Sequence, residues 1–343
     1  MGCNMSKNEY KEKDIVISSR VRLARNIRNL PFPIYLQSDS AKDIVEVVEK
    51  SINDKNNNLT PFNKIKVEDI TANNKKMLVE KHLTSPEWGR NDHAAVFIRE
   101  DERVSIMVNE EDHIRIQCIL DGFQLNYAYD IANEIDDLLE EEIRYAFDEK
   151  YGYLTACPSN VGTGMRASVM LHLPSLTLSN QMNNLMQTLA RFGITIRGIY
   201  GEGTQAMGDL YQISNQTTLG IKEQDIISNI HSVAKEIIKR ERDLRYEVLN
   251  NNKTYLEDKI FRALGTLTNA RTISVEESMK LISLVRLGTD LELIDQDIKK
   301  INDLMITIQP GILLSLYDTA DLQSFDVDKL RANFIRKSLI KNT

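Results

Sequence analysis

Apolar and polar residues alternate along DIVISSRVRLARNI (residues 14–27), which predicts a strand carrying Arg20 and Arg22 on one face, closed by Pro31 and Pro33. HAAVFIRE (93–100) and RVSIMVNEEDHIRIQC (103–118) predict neighbouring strands with charge at their ends. NYAYDIANEIDDLLEEEIRYAFDEKYG (126–152) has helical spacing, with Ile131, Ile135, Leu138 and Leu139 on one side and a dense acidic face on the other. SLTLSNQMNNLMQTLARFG (175–193) predicts a second helix ending at Gly193, and residues 53–58 read as a polar loop tip. From Gln224 onward the period is helical throughout. Its stripes are Ile226, Ile230, Val233 and Ile237, then Leu256, Ile260 and Leu264, then Met279, Ile282 and Val285. This change of texture predicts a tail at 1–13, a mixed strand-and-helix unit at 14–222 and an all-helical unit at 223–343.

At 343 residues and 42% hydrophobic composition, the chain buries a full core in one large domain or two. No apolar run reaches the ~18 residues of a membrane span, and the polar N-terminus lacks a secretory signal. Cys3, Cys118 and Cys157 are too few and too scattered for a disulfide framework or a zinc site, which points to a reducing compartment. A net charge of −7 argues against nucleic acid as the main partner. The opening MGCNMS formally fits N-myristoylation, with Cys3 as a second acylation site; the pattern is short, and we set it aside.

The richest stretch is YLTACPSNVGTGMRASVMLHLP (153–174), which reads as a phosphate-holding loop, a reactive thiol or a simple turn between strands. Gly162, Gly164 and Ala167 match the dinucleotide fingerprint in spacing only. A strand-like RASVMLHL follows where a helix is required, and no acidic residue occurs between Lys150 and Gly201 to hold a ribose. That acid-free window keeps Arg166, Arg191 and Arg197, which suits an anion-binding surface. The Walker sequence is absent, so any phosphate here is held by arginines, whose guanidinium forks match its oxygens.

Four motifs occur in order: SSRVR (18–22), NEEDHIR (109–115), GTGMRASV (162–169) and RGIYGEG (197–203). With CPSNVGTG (157–164) and QISNQTTLG (212–220), they resemble the ATP:guanidino phosphotransferases, the family of arginine and creatine kinases and of bacterial protein arginine kinases. The resemblance covers about residues 14–220. It implies an α+β fold, a largely antiparallel sheet flanked by helices and similar to glutamine synthetase, with the all-helical unit appended. It implies ATP with Mg²⁺, the metal held largely by the nucleotide phosphates and water. Phosphate-binding roles carry over to Arg20, Arg22, Arg115, Arg166 and Arg197. Nucleotide contacts carry over to Ser18, Ser19, Val21, His82, Ala167, Ser168, Val169, Met170, Gly198, Ile199, Tyr200, Gly201 and Glu202. His113 has no second ligand at metal spacing and reads as structural or nucleotide-adjacent.

A guanidinium has a pKa above ~12 and no free lone pair, so its phosphorylation needs a carboxylate to align the nitrogen and accept its proton. The resemblance assigns this work to Glu111 and Glu202, and places Cys157 beside the guanidinium as a positioning residue, where a nearby cation lowers a thiol pKa. Three functions compete: a kinase for arginine in proteins, a phosphagen kinase for free arginine, and a catalytically silent nucleotide-sensing adaptor. The complete motif set opposes the adaptor. Only seventeen residues precede Ser18, where phosphagen kinases carry a helical domain that encloses the small substrate, so the expected acceptor is arginine in a protein. The protein kinases of the family carry an R-D-x-x-R-A phosphoarginine motif; VDKLRA (327–332) lacks its first arginine and predicts a weakened site at Asp328 and Arg331. The resemblance further implies a cytoplasmic homo-oligomer that marks proteins for ClpC–ClpP degradation under stress. Its partners would be arginine-bearing proteins, an activator of the McsA type and the ClpC unfoldase, with neither nucleic acid nor membrane.

Overall fold

The computed structural model describes residues 12–53, 60–200, 206–317 and 324–340. Gly201, Glu202, the MGCNMS segment and most of the loop tip at 53–58 lie outside them. The strands are β1 (Val16–Arg25), β2 (Phe62–Lys66), β3 (Ala95–Arg99), β4 (Val104–Val108), β5 (Ile114–Asp121), β6 (Phe147–Asp148), β7 (Gly152–Tyr153), β8 (Met165–His172), β9 (Ile194–Tyr200) and β10 (Ala206–Asn215). The helices are α1 (Ser38–Ile52), α2 (Ala72–Glu80), α3 (Leu125–Glu142), α4 (Pro174–Leu178), α5 (Met182–Ala190), α6 (Glu223–Asn251), α7 (Lys253–Asn269), α8 (Val275–Asp290), α9 (Ile298–Thr307), α10 (Pro310–Leu316) and α11 (Ser324–Leu339). Among the described residues no helix is long and apolar enough to cross a membrane.

Eight strands form one sheet in the order β2-β3-β4-β5-β1-β8-β10-β9, antiparallel at every pairing. This is the expected sheet flanked by helices. Its two faces differ because side chains alternate with period two. Val21 and Leu23 of β1, Ala167 and Val169 of β8, and Ile116 and Cys118 of β5 join one core with α1, α3 and the first half of α6. On the opposite face the centre is polar. It is flanked at one side by a cluster of Leu78, Trp88, Val96 and Met107, and at the other by the helical cluster of α7, α8, α9 and α11, which reaches the sheet at Leu210. Helix α6 therefore starts in the sheet core, with Ile226, Ile230 and Ile237 buried there, and leads into the helical cluster.

Two predicted helices are shorter than their patterns. α3 stops at Glu142, and Ile143 turns extended. The following residues bridge to β1's continuation at Ile27–Tyr145 and form the β6–β7 hairpin. The 175–193 helix is two, α4 and α5, broken around Asn180 with φ 54°; Gly193, at φ 68°, ends the segment as expected.

One buried ion pair ties the sheet to α3. Arg25, 1% exposed, reaches Asp136 through Nη2 (2.6 Å) and Nε (3.0 Å), donates through Nη1 to the carbonyls of Ala24 and Thr163, and lies 3.6 Å from the Tyr153 ring centre. Removing one partner of such a pair leaves an uncompensated buried charge. Asp136→Ala should therefore lower the unfolding free energy by about 3–5 kcal/mol, measured by urea titration; a change under about 1 kcal/mol would show that the pair is dispensable.

Candidate active site

The polar centre is built by register. Arg22 lies opposite Arg166 on β8 and Gln117 on β5; Arg20 lies opposite Ser168 and Ile119; Ala24 lies opposite Arg115. On the far side, Gln212 of β10 is opposite Arg197 of β9 and donates to Ser168 Oγ at 2.6 Å. Ser18, Arg20, Arg22, Arg166, Ser168 and Met170 thus share a face. Ser19, Val21, Ala167 and Val169 do not: the same alternation turns their side chains into the opposite core, where Ser19 Oγ bonds the carbonyl of Gly122 and Ala167 N bonds Asn215 Oδ1. The side chains of these four are therefore not on the arginine face, contrary to the expectation that they contact the nucleotide there. Gly198 and Ile199 follow Arg197 on β9, Ile199 against the helical cluster. Tyr200 ends that strand, and Gly201 and Glu202 lie outside the described residues.

The arginines repel one another. Burial, then the charges of Arg20, Arg115 and Arg166, hold Arg22 well below the ordinary arginine value; burial and Arg197 lower Arg166. Arg22 Nε and Arg115 Nε are buried donors without a hydrogen-bond partner. Glu110, its side chain 3% exposed, offsets part of the arginines' charge: it pairs with Arg115 at 2.9 Å and accepts from Ser85 Oγ at 2.7 Å. Unmet donors and surplus positive charge on one strand face form a site for a polyanion.

A path leads from this cluster into a cavity. A small hollow lined by Ser18, Arg20, His82, Ser168 and Gln212 shares Ser18, His82, Ile119 and Met170 with a cavity of ≈ 350 Å³. The larger one is closed by Leu210 and by Asn302, Met305 and Ile306 of α9. His82 has φ 60°, and its carbonyl accepts from Gln117 Nε2 at 2.7 Å. Its imidazole is pushed down to about 3 by burial and by Arg20 and Arg22, so it stays neutral beside the cations. The larger cavity is also lined by Lys81, Asp101, Glu102, Arg103 and Asp121, so an elongated anion whose far end carries polar groups fits this sequence of surfaces. The α9 residues were not legible in the sequence, since they carry no motif.

Glu111 lies on the β4–β5 turn, more exposed than Glu110. Its carboxyl is raised above the ordinary glutamate value by burial, then by the negative charges of Asp112 and Glu110. Asp112 joins this turn to the cysteine loop: its Oδ1 accepts from Ala156 N (2.7 Å) and from Asn26 Nδ2 (2.6 Å). Cys157 is partly exposed, its Sγ 3.0 Å from Ser159 Oγ. The loop is fixed by Thr218 Oγ1, which donates to the carbonyls of Ser159 and Val161. Gly162, at φ 115°, is required because a Cβ would lie 2.2 Å from Thr218 O. His113 is structural: its Nδ1 accepts from Ile27 N and its Nε2 bonds Pro31 O.

The expected phosphoarginine pair is corrected. Arg331, 2% exposed, donates to the carbonyls of Ile308 and Ile273 and to Asp328, so its guanidinium clamps α11 to its neighbours and is not open to a ligand, while the Asp328 side chain is 31% exposed.

An arginine-lined anion site beside a raised carboxyl and a thiol defines a phosphotransferase with a nitrogen-bearing cationic acceptor. Residues 43–244 match the ATP:guanido phosphotransferase C-terminal catalytic domain, and residues 253–343 the protein-arginine kinase McsB C-terminal domain. The chain belongs to the ATP:guanido phosphotransferase family. It is 47% identical over 332 residues to a protein-arginine kinase of Caldanaerobacter subterraneus, covering 96% of this chain and 98% of that one. It is 44% identical over 335 residues to one of Bacillus subtilis, covering 97% and 92%. Among solved structures, the duplicated taurocyamine kinase of Schistosoma mansoni with transition-state analogue components superposes with a TM-score of 0.61 at 25% identity. That match covers 72% of this chain and 36% of the duplicated one. Lombricine kinase shares the fold, with a TM-score of 0.61, 24% identity and coverage of 71% and 70%.

Arg22→Met removes a buried charge that is repelled by its arginine neighbours. The expected result is an unliganded Tm equal to or above that of the wild type, with the ATP-induced Tm rise reduced or lost; an undiminished rise would remove Arg22 from the cradle.

Proposed function

We propose that the chain transfers the γ-phosphate of ATP to arginine side chains of proteins. The carrying observation is the strand-built arginine cluster with its unmet donors, together with the Glu111 turn that Asp112 ties to the Cys157 loop. Near-full-length similarity to protein-arginine kinases, together with the McsB C-terminal match, supports a protein acceptor over a free amino acid.

The nucleotide enters as its magnesium complex, and the metal offsets phosphate charge when bound. Arg20, Arg22, Arg115, Arg166 and Arg197 stabilise the charge that spreads over the equatorial oxygens as the γ-phosphoryl group loosens. Ser18, His82, Met170 and the α9 residues hold the nucleoside end in the cavity. Glu111 aligns the acceptor nitrogen and takes its proton as the N–P bond forms and the bond from phosphorus to the ADP oxygen breaks. Such positioning supplies about 7 kcal/mol or more of barrier reduction. Glu202 holds the second edge of the guanidinium in this reading. Cys157 lies on the acceptor side, where it positions the planar cation. The proposed setting is the cytoplasm, with a homo-oligomeric enzyme, an activator of the McsA type, and phosphoarginine as a mark read by ClpC–ClpP under stress.

The proposal is tested with labelled ATP and either free arginine or an unfolded arginine-bearing protein, scoring an acid-labile, base-stable product. A higher kcat/KM for free arginine would favour a phosphagen kinase.

Glu111 must be deprotonated to act. Its raised pKa means that kcat/KM is full above that value and falls as pH drops through it. The acid limb should have its midpoint above the ordinary glutamate value of about 4.3, and Glu111→Gln should abolish transfer while leaving ATP affinity largely intact. A limb centred at or below that value, or an active Glu111→Gln enzyme, excludes the assignment. Cys157→Ser should lower kcat substantially without eliminating transfer; an unchanged kcat would return Cys157 to an inert role.

A further inference from the structure

We propose that Asn26 is a positioning residue for phosphoryl transfer: it holds the Glu111 turn and the Cys157 loop in one fixed geometry, so that carboxylate and thiol meet the same guanidinium. This rests on the arginine-kinase reading above and names the group that sets its two acceptor loops against each other.

Asn26 follows the last residue of β1 and is 2% exposed. Its side-chain amide touches both loops at once. Nδ2 donates to Asp112 Oδ1 at 2.6 Å, one residue past Glu111, and to the carbonyl of Leu154 at 3.0 Å, three residues before Cys157. Oδ1 accepts from His113 N at 2.9 Å. Both amide hydrogens and one lone pair are thereby used, and no other side chain of this size offers two donors beside an acceptor. The backbone completes the connection, since Asn26 O accepts from Ala146 N at 2.7 Å and Ala146 O accepts from Leu154 N at 2.9 Å.

The loops also meet directly, through the same carboxylate. Asp112, 1% exposed, accepts on Oδ1 from Ala156 N, next to Cys157, as well as from Asn26. On the other side of Glu111, Glu110 is held by Arg115 and Ser85. Asn109 N donates to the carbonyl of His113 at 2.9 Å and closes the turn. Glu111 therefore stands exposed between two anchored neighbours. Removing the Asn26 amide takes a charge-assisted bond from the buried Asp112 carboxylate and frees the turn to move relative to the cysteine loop.

These side-chain bonds all go to the acceptor loops, whereas the arginines are set by the register of β1, β5 and β8. Loss of Asn26 should therefore separate the two halves of the reaction, slowing transfer and sparing the nucleotide.

The test uses Asn26→Ala, Asp112→Ala and their double variant in the full chain, with labelled ATP and an unfolded arginine-bearing protein as acceptor. A displacement of about 1 Å costs about a hundredfold in rate, so kcat should fall by about that factor in Asn26→Ala. The ATP-induced Tm rise should match that of the wild type. If Asn26 acts through Asp112, the double variant should be slower than the slower single variant by no more than about twofold. Asn26→Ser keeps one short donor and should retain more kcat than Asn26→Ala; should the alanine variant not fold, the serine variant is judged by the same kcat and Tm criteria. A kcat of the Asn26 variant within about twofold of the wild type overturns the proposal. So does a Tm rise that shrinks along with kcat, which marks a merely structural role, and so do losses that multiply in the double variant. A wild-type chain that phosphorylates neither free arginine nor arginine in a protein refutes the kinase reading itself, and the role of Asn26 with it.

Discussion

Repulsion among arginines on one sheet face is the constraint around which the described structure is arranged. At an effective dielectric near 20, two unit charges 4 Å apart interact by about 4 kcal/mol, so several guanidinium groups facing one another oppose folding. Glu110 offsets part of this through Arg115. The remainder is left for a ligand, as the unpartnered Nε atoms of Arg22 and Arg115 record. A site that stayed neutral without nucleotide would have little to gain from binding one. Stability is given up here for electrostatic preorganisation, the term that most favours a loose phosphoryl transition state.

The fold tolerates the strain because each arginine stands on a strand held elsewhere. β1 and β8 send Val21, Leu23, Ala167 and Val169 into the opposite core, and the register between them fixes Arg22 against Arg166. The acceptor side is organised differently. Glu111 and Cys157 lie on loops, where a strand's period cannot aim a side chain, so hydrogen bonds to Asp112, Asn26 and Thr218 do that work. The arginines stand on strands, and Glu111 and Cys157 on loops braced by hydrogen bonds.

That division decides what the sequence disclosed. Alternation placed Arg20 and Arg22 on one face, and the ordered motifs identified the chemistry. The motifs are contiguous while the strand face is not, so Ser19, Val21, Ala167 and Val169 were counted with their neighbours although their side chains point away. Adjacent Glu110 and Glu111 cannot be told apart by composition; only the turn buries the first against Arg115 and leaves the second exposed. Helical spacing carried the α3 pattern past Glu142 because nothing local shows that Tyr145 will bridge to Ile27. The motif-like VDKLRA gave no warning that Arg331 is used up on Ile273 and Ile308, which are distant in sequence.

The helical cluster walls the cavity proposed above for the nucleoside. Asn302, Met305 and Ile306 line the same cavity as Ser18 and His82, and Asn302 is itself held by Arg286 Nε at 2.8 Å. At a second contact, Glu80 at the end of α2 accepts from Ile312 N of α10 (2.9 Å), two residues before His82. Gly311 allows this approach, since a Cβ there would lie 2.8 Å from the Glu80 carboxylate. A ligand that fills a cavity walled by both parts stabilises their contact by the same free energy with which that contact favours the ligand. If the nucleotide occupies this cavity as proposed, changes in the docking of α9 are changes in its affinity.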